Sequence, residues 1–305
     1  MDLRGFDDHP PEPDANDFLS RLTLTRVDRD IFTGWCHSGS PLRAFGGQVA
    51  AQALVAAGST VDDDLRRVHS LHAYFLRAGS TTDHIVYMVD RPRDGRSFST
   101  RRVRAVQYGK TIFTMSVSFA LPQAGPEHGR EQAPAWFDAI PSPMESEPVD
   151  VLKHIPMRDQ AESEDLTEAG YPLHQLLEVR HIESKVVRSI SDGFVDQMNW
   201  IRSQPLPDDP LTHVCALTYL SDLTLVRTVL DHHNRADGRA DLQVASIDHA
   251  MWFHTPLRSD EWLLFANRSP IAGDGRGFAT GGFYTLTGMP VASVAQEVLV
   301  RDHPS

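Results

Sequence analysis

The chain has 305 residues, 41% of them hydrophobic and 23% charged, and a formal net charge of −12 at pH 7. This balance suits a soluble globular protein whose core needs no disulfide or metal staple. The acidic surplus excludes a general nucleic-acid binder, which needs a basic field. Two cysteines, Cys36 and Cys215, are too few for a disulfide framework and fit a reducing compartment.

The N-terminal MDLRGFDDHPPEPDAND lacks the basic flank and apolar run of a signal peptide. No apolar run reaches membrane-spanning length, and the closing RDHPS matches no peroxisomal address. The expected location is the cytoplasm. An alternating segment, LTLTRVDRDIFTGW, then precedes a small-residue helix, GGQVAAQALVAAG. Three or four strands are predicted next, over RVHSLHAYFL, HIVYMVDR, SFSTRRVRAVQY and KTIFTMSVSFAL, with Gly and Asp-Gly punctuation suited to hairpins.

From Pro122 to Pro172 the composition changes, with eight of the 20 prolines and acidic runs such as QAESEDL. This reads as a linker crossing the surface. Strands resume at HIESKVVRS and FVDQMNWIRS. One helix is predicted over HVCALTYLSDLTLVRTVL, and then strands in LQVASIDHAMWF, EWLLFANRSP, GFATGGFYTL and PVASVAQEVLVR.

The second half repeats the first. Asp94, Gly95, Arg96 and Phe98 recur 180 positions later as Asp274, Gly275, Arg276 and Phe278, and Gly109 answers Gly288 with a one-residue slip. Matches in one order at a nearly constant offset indicate two copies of a domain. The expected units are 18–122, a linker over 123–178, and 179–303. One helix followed by antiparallel strands, twice over, is an α+β pattern.

Three residues stand out against this pattern. Asp222, within the second helix, shares a face with Cys215, Tyr219, Val226 and Val229. It is either a Ser-Asp pair that breaks the helix or a buried carboxylate kept for chemistry. Strand alternation turns Gln296 inward with Val294, Val298 and Val300, where it could simply bridge backbone groups. Ser246 faces inward with Leu242 and Val244. Asp248 and Trp252 continue that face if no bulge intervenes, and His249 falls on the other with Ile247 and Met251.

Together, a hydroxyl, an amide and a carboxylate can hold a water while the carboxylate takes its proton. The first helix, Gly46 to Val61, has no acidic residue, so only the second copy could do this. No Gly-x-Ser-x-Gly elbow is present, and Asp-His-His-Asn around His232 and His233 reads as a polar turn rather than a zinc site.

The motifs AFGGQVAAQAL, VHSLHAYFLRAG, RDGRSFSTRRV, SDL, IDHAMWFH and VAQE resemble those of the acyl-CoA thioesterase II family over about residues 20 to 301. The resemblance implies a double hotdog fold, in which two helices are each wrapped by a curved antiparallel sheet and the sheets join. It implies hydrolysis of medium- to long-chain acyl-CoA to free acid and CoA, without cofactor or metal, in a homodimer or homotetramer. It assigns catalysis to Asp222, Ser246 and Gln296, with Ser246 standing where many bacterial members have Thr.

Further expectations place oxyanion donors near the start of the second helix and an acyl tunnel along AMWFH and the Ala-rich helix. Phosphate contacts from Arg96, Arg101, Arg102 and Arg104 are weighed against an ordinary solvated strand face. Two other activities fit less well: enoyl-CoA hydration, using the Asp-His pair of IDHA, and acyl-CoA binding without turnover.

Overall fold

The computed structural model describes residues 14, 16–36, 43–63, 65–130, 132–149, 176–233 and 242–302. The first repeat contains β1 (Thr25–Asp28), β2 (Ile31–Gly34), α1 (Gly46–Gly58), β3 (Arg67–Phe75), β4 (Ile85–Asp94), β5 (Phe98–Gln107) and β6 (Lys110–Ala120). The second contains β8 (Leu177–Ile182), α2 (Ser184–Ile190), β9 (Gln197–Ser203), α3 (Pro210–Ser221), α4 (Leu225–Asp231), β10 (Leu242–Ser246), β11 (Asp248–Phe253), β12 (Leu263–Gly273), β13 (Arg276–Tyr284) and β14 (Pro290–Asp302). A two-residue strand, β7 (Glu147–Pro148), lies between them.

All the strands form one antiparallel sheet. The order β2-β4-β5-β6-β3 in the first half answers β9-β12-β13-β14-β11 in the second, and the halves join where β3 pairs with β11. The repeat extends to irregularities. β4 and β5 slip register between Asp90 and Arg93, and β12 and β13 slip between Arg268 and Ile271. The repeated Asp-Gly-Arg motif builds two different turns, however. Asp274 and Gly275, at φ 51° and 72°, make a two-residue hairpin with both centres left-handed. In the first repeat the turn is wider, with Asp94 paired to Ser99.

Helix α1 is buried on every side. Ala50, Ala51, Ala53, Ala56 and Ala57 are at most 1% exposed, which lets the sheet close tightly around a narrow helix. Gln48 and Gln52 are also buried, and their amides donate to the carbonyls of Arg21 and Trp35. Against α3 the contact is closer still. A Cβ on Gly47 would stand 2.5 Å from the Tyr219 carbonyl oxygen, and one on Gly58 would stand 2.4 Å from Leu211 Cδ2. The start of α1 therefore meets the end of α3, and the two helices run antiparallel.

Three expectations are corrected. The second helix is not continuous: α3 ends at Ser221, Asp222 caps it, and α4 starts at Leu225. Ser221 Oγ bonds back to the Thr218 carbonyl, so its hydroxyl competes with the helix ladder at this point, while Thr224, at the cap position of α4, accepts from Asn267 Nδ2 instead. The segment SKVVRSI, expected as strand, is α2, because burying Val187 on the sheet outweighs the strand preference of two valines.

The linker is the third case. Residues 132–149 do not run free over the surface. Trp136, Phe137 and Ile140 pack with Met198, Trp200 and Leu264 on the sheet face opposite α3, and Trp200 Nε1 donates to the Pro141 carbonyl at 2.8 Å. β7 pairs with β8. The acidic run QAESEDL lies outside the described residues.

The helix contact can be tested by adding one methyl group. Alanine at a helical glycine ordinarily gains about 1 kcal/mol, but at Gly47 the methyl meets backbone, which yields poorly. Gly47→Ala is expected to lose about 1–3 kcal/mol, read as a lower Tm. An unchanged or higher Tm would show that the two helices are not pressed together there.

Candidate active site

The break between α3 and α4 places a carboxylate where the helices meet. Asp222 is 7% exposed. Its Oδ1 accepts from Ser246 Oγ at 3.2 Å and from Gln296 Nε2 at 3.0 Å, and Gln296 Nε2 also donates to Ser246 Oγ at 2.8 Å. The three residues singled out in the sequence thus share one hydrogen-bonded cluster. A third donor to Asp222 comes from the other repeat, the backbone N–H of Gly47 in the first turn of α1.

That contact explains the paired glycines of AFGGQ. Phe45 occupies the cap position of α1 but supplies no side-chain acceptor for the orphan N–H groups. Asp222 acts as the cap across the repeat boundary, and the helix dipole favours its charge. A Cβ on Gly46 would lie 2.7 Å from Asp222 Oδ2, so any side chain there would strike the carboxylate.

Burial raises the Asp222 carboxyl above its ordinary value; the charge of His249 and the donors Gln296, Ser246 and Gly47 oppose the rise without cancelling it. The cysteines contribute no nucleophile. Burial pushes the Cys36 thiol up to about 12 and Cys215 well above its usual range.

A cavity of about 370 Å³ opens beside this cluster. Asp222 and Ser246 line it with Gly46, while Phe45, Val49, Phe75, Leu76, Ile112, Phe113, Leu223, Val226 and Val244 supply apolar walls from both repeats. Gln296 is fully buried behind the wall. A concave apolar site with a few convergent polar groups is the usual form of a small-molecule site.

Two family models match the chain: one described as acyl-CoA thioesterase over residues 180–299, the other as acyl-CoA thioesterase N-terminal domain over 33–120. Acyl-coenzyme A thioesterase 8 of Homo sapiens is 34% identical over 293 residues, covering 93% of this chain and 88% of that protein. Acyl-CoA thioesterase 2 of Haemophilus influenzae is 33% identical, covering 94% and 97%. The chain belongs to the acyl-CoA thioesterase II family. Among solved structures, an acyl-CoA thioesterase II of Mycobacterium marinum, TesB2, superimposes with a TM-score of 0.75 at 39% identity, over 94% of this chain and 98% of that one. A hot dog fold protein of Alicyclobacillus acidocaldarius, at 19% identity and TM-score 0.70 over 94% and 98%, shares the fold.

Within this family member, several sequence expectations shift. The expected inward set of Ser246, Asp248 and Trp252 assumed an unbroken strand. Instead Ser246 pairs with Val298 and Ala250 with Ala295, four residues against three, so a bulge intervenes. It turns His249 inward, where it is 1% exposed, and leaves Asp248 accepting from the Glu297 N–H at 2.7 Å. His249 Nδ1 lies 2.5 Å from Gln296 Oε1, and Nε2 lies 2.8 Å from Ser221 Oγ. Sequence reasoning missed His249, although three polar residues at 246, 248 and 249 cannot share one face at a period of two.

AMWFH does not line the cavity. β11 forms the seam between the two sheets, so Met251 packs under Ser221 and Trp252 points outward, 38% exposed. The start of α3 is not beside the cavity either; its cap, Asp209, bonds Thr212. The helix start that does line it belongs to α1. The strand arginines are also elsewhere. Arg101 is 1% exposed and donates to Asp94 Oδ1 at 2.7 Å and Thr60 Oγ1 at 2.8 Å, a structural role. The cations on the cavity wall are Arg43 and Arg77, both exposed. His232 Nε2, in the Asp-His-His-Asn turn, lies 3.0 Å from Asp196 Oδ2.

Burial of Asp222 has a stability consequence. With its pKa raised, the folded chain holds this proton more tightly than the unfolded chain. The resulting stability is full below the unfolded aspartate's value and is lost as pH rises through the raised folded value. Asp222→Asn removes the buried charge, so at pH 7 its Tm should equal or exceed that of the wild type, with the gap closing as pH falls. A variant less stable at pH 7, with the deficit shrinking on acidification, would mean that the carboxylate is a net stabilising charge.

Proposed function

We propose that this chain is an acyl-CoA thioester hydrolase acting on medium- to long-chain fatty acyl-CoA through a water activated by Asp222, with one site per chain. The observation that carries the reading is the convergence of Asp222, Ser246 and Gln296 at an apolar cavity. Oδ1 of Asp222 already accepts from both Ser246 and Gln296, and the carboxylate also accepts from the Gly47 N–H; Oδ2, beside Gly46, is the less engaged oxygen and keeps a lone pair for the proton. Water adds to the thioester carbonyl as its proton passes to Oδ2. The tetrahedral intermediate then expels the CoA thiolate, which takes up a proton, and the fatty acid remains. The N–H of Gly46, at the start of α1 on the cavity wall, is positioned to stabilise the oxyanion. Ser246 orients Asp222 at the cavity edge, and Gln296 acts from behind it as a positioning residue.

The apolar walls suit an acyl chain, and Arg43 and Arg77 suit the phosphates of CoA. Hydration of an enoyl-CoA would need the IDHA pair at the substrate. Neither Asp248 nor His249 lines the cavity, and both His249 nitrogens have partners. We place the protein in the cytoplasm; among the described residues no helix is long and apolar enough to cross a membrane. Exposed Tyr74 and Trp252 flank the seam of the sheets, which suits assembly as a homodimer or homotetramer.

Thiol release from acyl-CoAs of graded length tests this reading. Asp222→Asn should lower kcat by about 10²–10⁴-fold on every substrate that the wild type turns over. Equal turnover by both would remove Asp222 from the chemistry, and tight binding without turnover by the wild type would favour a non-catalytic acyl-CoA-binding module. Separately, Arg77→Ala should raise KM for acyl-CoA by about tenfold, a charge-assisted contact being worth roughly 1.5–3 kcal/mol, while leaving KM for the matching acyl-pantetheine unchanged. An equal effect on both substrates would detach Arg77 from the phosphates.

A further inference from the structure

Behind the cavity wall the hydrogen bonds have a direction. A carboxylate only accepts, so the end of the Gln296 amide at Asp222 must be its NH2 group. Its other end is then the carbonyl Oε1, which also only accepts. The atom 2.5 Å from Oε1 is His249 Nδ1, and it must therefore carry a proton. Nε2 is held at 2.8 Å by Ser221 Oγ, on the last residue of α3. The imidazole is thus gripped at both nitrogens, and the residue that holds Nε2 immediately precedes Asp222 in the chain.

We propose that His249 is a positioning residue for the hydrolysis described above: its Nδ1–H locks the Gln296 amide with NH2 toward Asp222 and Ser246, and so fixes which Asp222 oxygen remains free to take the proton. This rests on the reading of Asp222 as the base. The lock is needed because an amide can turn over by 180° with little change of shape. A turned Gln296 would aim its carbonyl oxygen at a carboxylate and a hydroxyl. Asp222 would lose a donor to Oδ1, and Ser246 would have to donate to the amide rather than to Asp222. Nδ1–H prevents this by making the turned state place NH2 against N–H.

The geometry also explains the bulge at Ile247. Without it, Asp248 would occupy the inward position and a second carboxylate would stand in the cluster. With it, the imidazole enters instead, and Asp248 bonds the Glu297 N–H. Among the described residues no other ionisable side chain bonds to the cluster: β14 supplies Gln296, α3 supplies Ser221, β10 supplies Ser246, and α1 supplies a backbone N–H.

The two nitrogens can be separated by substitution. Asparagine places its amide where Nδ1 stands and can still donate to Gln296. Glutamine reaches the Nε2 position and leaves Oε1 of Gln296 without that donor. His249→Gln should lose about 10- to 100-fold in kcat with little change in KM, the size usual for a residue that orients a catalytic group. His249→Asn should keep several-fold more kcat than His249→Gln. In a Gln296→Met background, His249→Gln should cost nothing further, since there is no amide to hold.

Equal losses in the two His249 variants, tracking their Tm, would make His249 a packed core residue and overturn the proposal. So would wild-type kcat in His249→Gln. Asp222→Asn, assayed alongside, separates the two failures. If it stays active, the site reading falls; if it is inactive while His249→Gln is not, only the lock falls. Should His249→Gln not fold, nitrogen-15 NMR of the wild-type histidines decides. A protonated Nδ1 at His249 is expected, and an unprotonated one overturns the lock.

Discussion

A buried carboxylate is costly unless donors replace the water it has lost. Asp222 recovers part of that loss from two sources that are far apart in the chain. Two strand side chains of the second repeat, Ser246 and Gln296, hold Oδ1, and the first turn of α1, from the other repeat, supplies a backbone N–H and the positive end of a helix dipole. Much of the architecture follows from this contact. α1 and α3 must run antiparallel and touch, so that the start of one meets the end of the other. Residues 46 and 47 must be glycine, because a side chain at either would strike the carboxylate or the backbone of α3. The helix carrying the acid must stop where it does, because only at its end can the side chain reach around to the neighbouring helix.

The same contact explains why two similar repeats make one site. The cavity takes walls from both halves, but its acid comes only from the break between α3 and α4. At the other end of the helix pair, Gly58 packs on Leu211 and Thr60 bonds the buried guanidinium of Arg101. There the space is filled by an aliphatic side chain and a cation held by Asp94, with no carboxylate from the helix and no glycine pair at a helix start. The two ends of the helix pair therefore differ: one is packed solid, and the other opens into a cavity lined by a carboxylate.

Much of this was legible in the sequence. The 180-residue offset gave the two halves, the period-2 runs gave most of the strands, and Asp222, Ser246 and Gln296 stood out as polar residues on apolar faces. What was not legible depends on features outside any local pattern. The Ser-Asp pair at 221 and 222 allowed a helix break as one of two readings, but the apolar stripe that continues to Val229 left the choice open. The bulge at Ile247 reverses the parity of everything after Ser246, which moved His249 into the cluster and Trp252 out of the expected tunnel. The cations at the cavity lie in the loops before α1 and after β3. Both loops belong to the first repeat, where the Ala44 N–H bonds the Gly79 carbonyl at 2.8 Å and draws them together, whereas the denser arginine pattern on β5 proved to be one buried strut and an exposed strand face.

The central claim is spatial: the thioester is held in the cavity between the repeats, with its carbonyl one water away from Asp222. A crystal structure of the Asp222→Asn protein with an intact acyl-CoA examines it directly. The account predicts the acyl chain between Val49, Phe113 and Val226, the carbonyl oxygen toward the Gly46 N–H, and the phosphates near Arg43 and Arg77. A thioester bound elsewhere, or a carbonyl turned away from residue 222 with no room for water between, would contradict it.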